Sequence, residues 1–165
     1  MVKKLIVYVL AALLIVFIGM QFDRTVKNNS NDQTKHISTL YILPDSVEAI
    51  LSTACYDCHS NNTRYPWYAE VQPIGRWLND HIQQGKKELN FSEFASYRPR
   101  RQFHKLEEVV EMVKENSMPL PSYTIMHNDA VLNDGQKALL YSWVSATHDS
   151  MKLAFHPDSL KARRR

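Results

Sequence analysis

Apolar positions fall into two regimes along this chain: one unbroken run near the amino end, and four later stretches in which they recur every three or four residues. The run from Leu5 to Met20 carries no charge, follows Lys3 and Lys4, and gives way to Gln21, Phe22, Asp23 and Arg24. A basic flank ahead of an apolar run predicts an export segment whose first end stays in the cytoplasm, with everything past Phe22 on the far side of the membrane. The residues that close the run, Val16 to Met20, lack the small-x-small pattern of a cleavage site. Residues 1–22 are therefore expected to stay attached as a single membrane-spanning anchor.

Residues 23–38 are polar, with Asn28, Asn29, Ser30, Asn31 and Asp32 in succession, and residues 23–44 read as a flexible linker. Helical spacing begins after Pro44. Val47, Ile50, Leu51, Ala54, Cys55 and Cys58 share one face, and Asp45 with Glu48 resembles a capping box with Asp45 as the cap. A second stripe of Ile74, Trp77, Leu78, His81 and Ile82 follows Pro73, and Gly85 is the expected stop. A third, Leu106, Val109, Val110 and Val113, ends by Pro119, which cannot continue a helix. A fourth, Leu139, Leu140, Trp143, Val144 and Thr147, starts near the cap residue Asn133. The stretch from Asn90 to Arg101 predicts only a loop or a brief helix. No alternating strand pattern competes, so the expected fold is all-α. A small helical domain over residues 45–152 follows the anchor, with a basic tail over residues 153–165 that ends in Arg163, Arg164 and Arg165.

Charge changes this picture little. Twenty Lys and Arg face 17 Asp and Glu, and two of the lysines precede the apolar run. A near-neutral domain has no nucleic-acid footprint. Four glycines are few for phosphate-cradling loops. Two cysteines are too few for a disulfide scaffold or for an iron–sulfur cluster held by four thiolates of one chain.

Those two cysteines carry the chemistry. Cys55-Tyr56-Asp57-Cys58-His59 is a Cys-x-x-Cys-His sequence, the pattern of covalent c-type haem attachment. Each thiol can add to one vinyl group of the tetrapyrrole, and the imidazole that follows can bind the iron as its proximal ligand. A thioredoxin-like pair would need a βαβ context, a zinc site would need a second close ligand pair, and a plain disulfide leaves His59 without a role. For the other axial position the candidate is Met118, in Met118-Pro119-Leu120-Pro121 between two helices, because a thioether is a soft ligand for haem iron. His81 is the main rival, and Met126, His104, His127 or an open iron remain as alternatives. Tyr65, Trp67, Tyr68 and Trp77 are candidate walls of the pocket. Arg64 or Arg76 are candidate partners for the haem carboxylates, and the carbonyl of Pro66 or Pro73 is a candidate acceptor for the second nitrogen of His59.

Beyond the five-residue motif, the chain resembles the bacterial haem-binding domain family of small membrane-anchored proteins. The resemblance lies in Cys55-Tyr56-Asp57-Cys58-His59-Ser60-Asn61, Tyr65-Pro66-Trp67-Tyr68, Glu88-Leu89-Asn90-Phe91-Ser92 and Met118-Pro119-Leu120-Pro121-Ser122-Tyr123, with Gln21-Phe22 after the anchor. It implies one c-type haem with His59 as proximal ligand and Met118 as the distal one. The expectation is then an electron-transfer cytochrome rather than an enzyme, set in the cytoplasmic membrane with its domain in the periplasm, serving redox proteins or membrane electron-transport components. A haem-based sensor or a peroxidase-like enzyme would instead need an open iron.

Overall fold

The computed structural model describes residues 1–161. Among these the chain forms α1 (Val2–Met20), α2 (Asp45–Ala54), α3 (Tyr56–His59), α4 (Ile74–Glu88), α5 (Pro99–Lys114), α6 (Pro121–Thr124), α7 (Asp134–Ala154) and α8 (Pro157–Leu160), with short 3₁₀ turns between them and no strand. The fold is all-α, as the spacing of apolar residues predicts. Helix α1 buries no residue and is long and apolar enough by composition to cross a membrane. At 1.5 Å per residue it is about 28 Å long, enough to cross a hydrocarbon core.

The core is built where α2, α5 and α7 meet. Ile50 and Leu51 of α2, Leu106 and Val113 of α5, and Leu140, Trp143 and Val144 of α7 form one buried cluster with Phe91 and Phe94. Trp143 satisfies its indole N–H on the Ile42 carbonyl at 3.0 Å. Helix α7 begins as its sequence predicts, with Asn133 and Gln136 in a reciprocal capping box that satisfies two otherwise orphaned N–H groups. Leu139, expected on its apolar stripe, is instead 48% exposed.

Several expectations are revised. Asp45 does not cap α2: Pro44 holds that position without a side-chain bond, and Glu48 accepts from the Tyr56 hydroxyl at 2.7 Å. Gly85 does not stop α4, which runs on to Glu88. A Cβ on Gly85 would lie 2.7 Å from the Cys58 carbonyl oxygen, so the residue is small because two helices touch there. The stretch from Asn90 to Arg101 holds a 3₁₀ helix, Phe91–Ser96, and the first turn of α5.

Residues 23–44 are not a free linker. The Ser30 N–H donates to the Asn61 carbonyl at 3.0 Å and the Thr63 N–H to the Asn28 carbonyl at 2.9 Å. Asn28 donates from Nδ2 to the Ser60 carbonyl and to Thr63 Oγ1, both at 2.9 Å, and Ile37 is wholly buried in the core. The segment looks mobile in sequence because it is rich in Asn and Ser, yet those amides and hydroxyls are what the loop after His59 needs to satisfy its backbone. The tail is likewise partly folded: Leu160 of α8 is buried and Arg100 donates to the Asp158 carbonyl at 3.1 Å. Arg163, Arg164 and Arg165 lie outside the described residues.

Candidate functional site: a groove around the Cys-x-x-Cys-His turn

Helix α2 breaks at Cys55, whose φ of −127° and ψ of −43° leave the helical region, and the chain restarts at once as α3. The cysteines are thus not on one continuous helix. The N–H groups of Cys58 and His59 both donate to the Cys55 carbonyl, at 3.2 and 2.9 Å, which turns His59 beneath the end of α4. There its Nδ1 lies 3.0 Å from the Gly85 carbonyl and 2.9 Å from that of Leu89. Both partners are acceptors, so Nδ1 carries the proton and Nε2 is left with its lone pair free, the tautomer a metal-binding histidine needs. Burial lowers the pKa of His59 and keeps the ring neutral near pH 7. The acceptors are therefore two carbonyls of α4 and its end, not those of Pro66 or Pro73.

Hydrogen bonds between the loop after His59 and the chain after α4 hold this geometry. Asn61 accepts on Oδ1 from Asn90 Nδ2 at 2.8 Å, and its own N–H donates to Ser92 Oγ at 3.0 Å. The Asn90 N–H donates to the Tyr97 hydroxyl at 2.9 Å. Asn61 and Asn90 are both buried, so these bonds are made away from water, where a missing partner costs about 1–3 kcal/mol.

Three contiguous cavities surround the turn. One of about 290 Å³ is lined by Cys55, Cys58, His59, His81, Gly85 and Met118, among others. A second, about 270 Å³, shares Cys55, His59, Met118 and Pro119 with it and continues along Val109, Met112 and Leu132. A third, about 240 Å³, shares Cys58, His81, Leu120 and Tyr123 with the first and reaches Trp67 and Trp77. Together they make an elongated, largely apolar groove with both thiols and His59 along it. A larger cavity, about 590 Å³, lies elsewhere among His36, Glu48, Tyr56 and Arg64 and meets neither cysteine.

The cysteines are free, and burial pushes their thiols up, to about 12 for Cys55 and about 11 for Cys58. Redox-active cysteine pairs instead stabilise a thiolate. Among the described residues no three or more His, Cys, Asp or Glu are grouped so that they could hold a bare metal ion. Two protonated thiols beside a free imidazole nitrogen, in an apolar groove too long for an ion, fit a flat tetrapyrrole.

The other predicted residues divide clearly. Met118 lines both cavities that contain His59, after a turn in which its N–H donates to the Met112 carbonyl at 3.2 Å. His81 lines the groove as well, with Nδ1 at 2.8 Å from the Trp77 carbonyl. Met126 reaches only the far cavity. His104 and His127 lie outside the groove, bonded to Glu107 and to the Tyr68 hydroxyl. Trp67 and Trp77 wall the far end, whereas Tyr65 turns away and its hydroxyl accepts from the Asn28 N–H at 2.7 Å. Arg64 is held by Asp57 and the Ser52 carbonyl, and Arg76 pairs with Asp23, so neither faces the groove. Lys105, which lines the groove between Glu88 and Glu108, is the cation there, and the sequence offered no signal for it.

Asp57 was also missed. Buried at the second variable position of the motif, it accepts from the Arg64 N–H and Nε at 3.1 Å and from the Tyr123 hydroxyl at 2.7 Å. Tyr123 belongs to the same Met118–Tyr123 stretch, so this bond ties the Met118 side of the groove to the cysteine turn. Burial and the bond to Asp57 raise the Tyr123 hydroxyl pKa, so it remains a donor throughout the neutral range. Tyr123→Phe is expected to cost about 1.5–3 kcal/mol, in line with a hydrogen bond to a carboxylate, as a lower midpoint in urea with unchanged m.

A neutral, doubly anchored imidazole beside two thiols along an apolar groove is the site of a haem protein. A family model described as a haem-binding domain matches residues 15–146, and the chain belongs to that family. The match takes in the end of α1 and the whole of residues 23–44, in keeping with their packing on the domain. No curated protein and no solved structure matches the chain.

Proposed function

We propose that this chain is a membrane-anchored c-type cytochrome that carries electrons on the outer side of the cytoplasmic membrane, with one haem held through Cys55 and Cys58 and ligated by His59 and Met118. The observation that carries the reading is the alignment of the Cys55 and Cys58 thiols with the free Nε2 of His59 along one groove. Bound there, the haem would supply a one-electron iron couple. The chain's part is to fix the imidazole through the Gly85 and Leu89 carbonyls, to exclude water with Val109, Met112 and Leu132, and to offer a thioether from Met118. A sulfur ligand raises the reduction potential relative to two imidazoles, and a filled sixth position suits outer-sphere electron transfer. Helix α1 with Lys3 and Lys4 at its start supports an anchor oriented with the domain outside, where redox proteins or membrane-bound electron carriers are the partners.

Met118→Ala tests the ligand and the carrier role together. The variant is expected to keep its haem, lose the weak near-infrared sulfur-to-iron absorption, show a lower potential and bind carbon monoxide when reduced, where the wild type does not. His81 is the second reading because it lines the same cavity. A spectrum unchanged by Met118→Ala but altered by His81→Ala would make the iron bis-histidine. A wild type that is high-spin and takes up carbon monoxide readily would favour a sensor or peroxidase-like role instead.

A further inference from the structure

The end of α1 does not lead into free chain. Gln21 Oε1 accepts from the Gln72 N–H at 3.0 Å and its Nε2 donates to the Gln72 carbonyl at 3.2 Å, so one side chain satisfies both backbone groups of that residue. The Gln72 side chain, itself buried, donates to the Asp23 carbonyl at 2.8 Å and accepts from the Arg76 N–H at 3.1 Å. Asp23 and Arg76 are ion-paired. Within three residues of its last helical position, the apolar helix is bonded to the turn that begins α4.

Large apolar side chains are exposed around that junction. Phe22, next to Gln21 in sequence, is 82% exposed, Trp67 76%, Trp77 47% and Ile74 43%. Trp67, Ile74 and Trp77 line one cavity, and Ile74 is two residues beyond Gln72. Isolated exposed apolar residues are ordinary on a protein surface. Two tryptophans and an isoleucine in one patch, beside the exit of a helix long enough to span a bilayer, are a different arrangement. Trp is the side chain enriched at the level of lipid headgroups, where an apolar ring with one N–H is best solvated.

We propose that this face of the domain rests on the lipid interface, with Phe22, Trp67, Ile74 and Trp77 set among the headgroups and upper acyl chains. The proposal rests on α1 being a membrane anchor. The Gln21–Gln72 bonds then fix the domain close to the bilayer instead of letting it range on a tether. Because the cavity lined by Trp67 and Trp77 shares Cys58, His81, Leu120 and Tyr123 with the one containing His59, one end of the groove faces the membrane.

Spin-label depth measurement on the full-length, haem-loaded protein in vesicles of phosphatidylcholine and phosphatidylglycerol tests this. Single nitroxide labels are introduced through Phe17→Cys, Phe22→Cys, Ile74→Cys and Leu153→Cys, which leave both groove-wall tryptophans in place, with the unsubstituted protein as the blank for labelling of Cys55 and Cys58 and the far-ultraviolet helical signal as the check on folding. Leu153, 92% exposed near the end of α7, is the aqueous reference. Labels at 22 and 74 are expected to collide with oxygen, relative to a water-soluble nickel chelate, several-fold more often than the label at 153, with the label at 17 deepest. A label at 74 that matches 153 while 17 stays in lipid would overturn the seating and leave the anchor standing. A label at 17 that also matches 153 would remove the anchor, and the seating with it.

Discussion

Cys55→Ser combined with Cys58→Ser is expected to abolish haem retention through acid–organic extraction, whereas the wild type, matured in an exporting host, keeps all of it. The proposed attachment would add each S–H across a vinyl C=C: the S–H bond and the vinyl π bond would be lost, a carbon–sulfur and a carbon–hydrogen bond would form, and no oxidant would be consumed. Axial coordination ends when the protein unfolds, but a thioether does not. Burial keeps both thiols protonated, with values near 12 and 11, so uncatalysed thiolate chemistry at the pair is suppressed near neutral pH. Each single replacement should leave one thioether, hence haem that resists extraction with one vinyl intact and a red-shifted absorption band. Haem that extracts completely from the wild type would refute covalent attachment while leaving the family membership untouched.

Gly85→Ala should lower both stability and haem yield. On helix propensity alone the change would stabilise α4 by roughly 1 kcal/mol. The new Cβ, however, would meet the Cys58 carbonyl oxygen at 2.7 Å and Cys58 Cβ at 3.2 Å. The oxygen belongs to the backbone of the cysteine turn and cannot swing aside like the end of a flexible side chain. Overpacking of this kind costs about 1–3 kcal/mol, so the clash outweighs the propensity gain. The displacement also acts on chemistry, since it separates the Gly85 carbonyl from His59 Nδ1, now 3.0 Å away. The expected result is a lower thermal midpoint and a smaller fraction of chains with covalent haem, compared with Gln83→Ala on the exposed face of the same helix. A stabilised Gly85→Ala protein with normal haem content would show that α4 and the cysteine turn need not touch.

The sequence by itself determined the parts that depend on neighbours in the chain. Helical periodicity marks α2, α4, α5 and α7, because i, i+3 and i+4 residues share a face whatever surrounds them. The Asn133 cap and the unbroken apolar run are equally local. The Cys-x-x-Cys-His spacing is also local, since five consecutive residues suffice to bring two thiols and an imidazole to one groove. Tertiary structure decided what those groups meet. No sequence pattern marks the carbonyls of Gly85 and Leu89 as acceptors for His59, because every residue carries a carbonyl and only the crossing of α4 over the cysteine turn selects these two. The same holds for Gly85, whose role is a contact between helices 27 residues apart in the chain. Asn28 and Ser30 read as linker because polar residues without periodicity have two possible fates, solvation by water or pairing with another loop's backbone, and composition does not distinguish them. Arg64 and Arg76 are likewise open to a bound carboxylate as far as sequence goes, but in the fold they pair with Asp57 and Asp23; a charge is committed by what lies within a few ångströms of it in space.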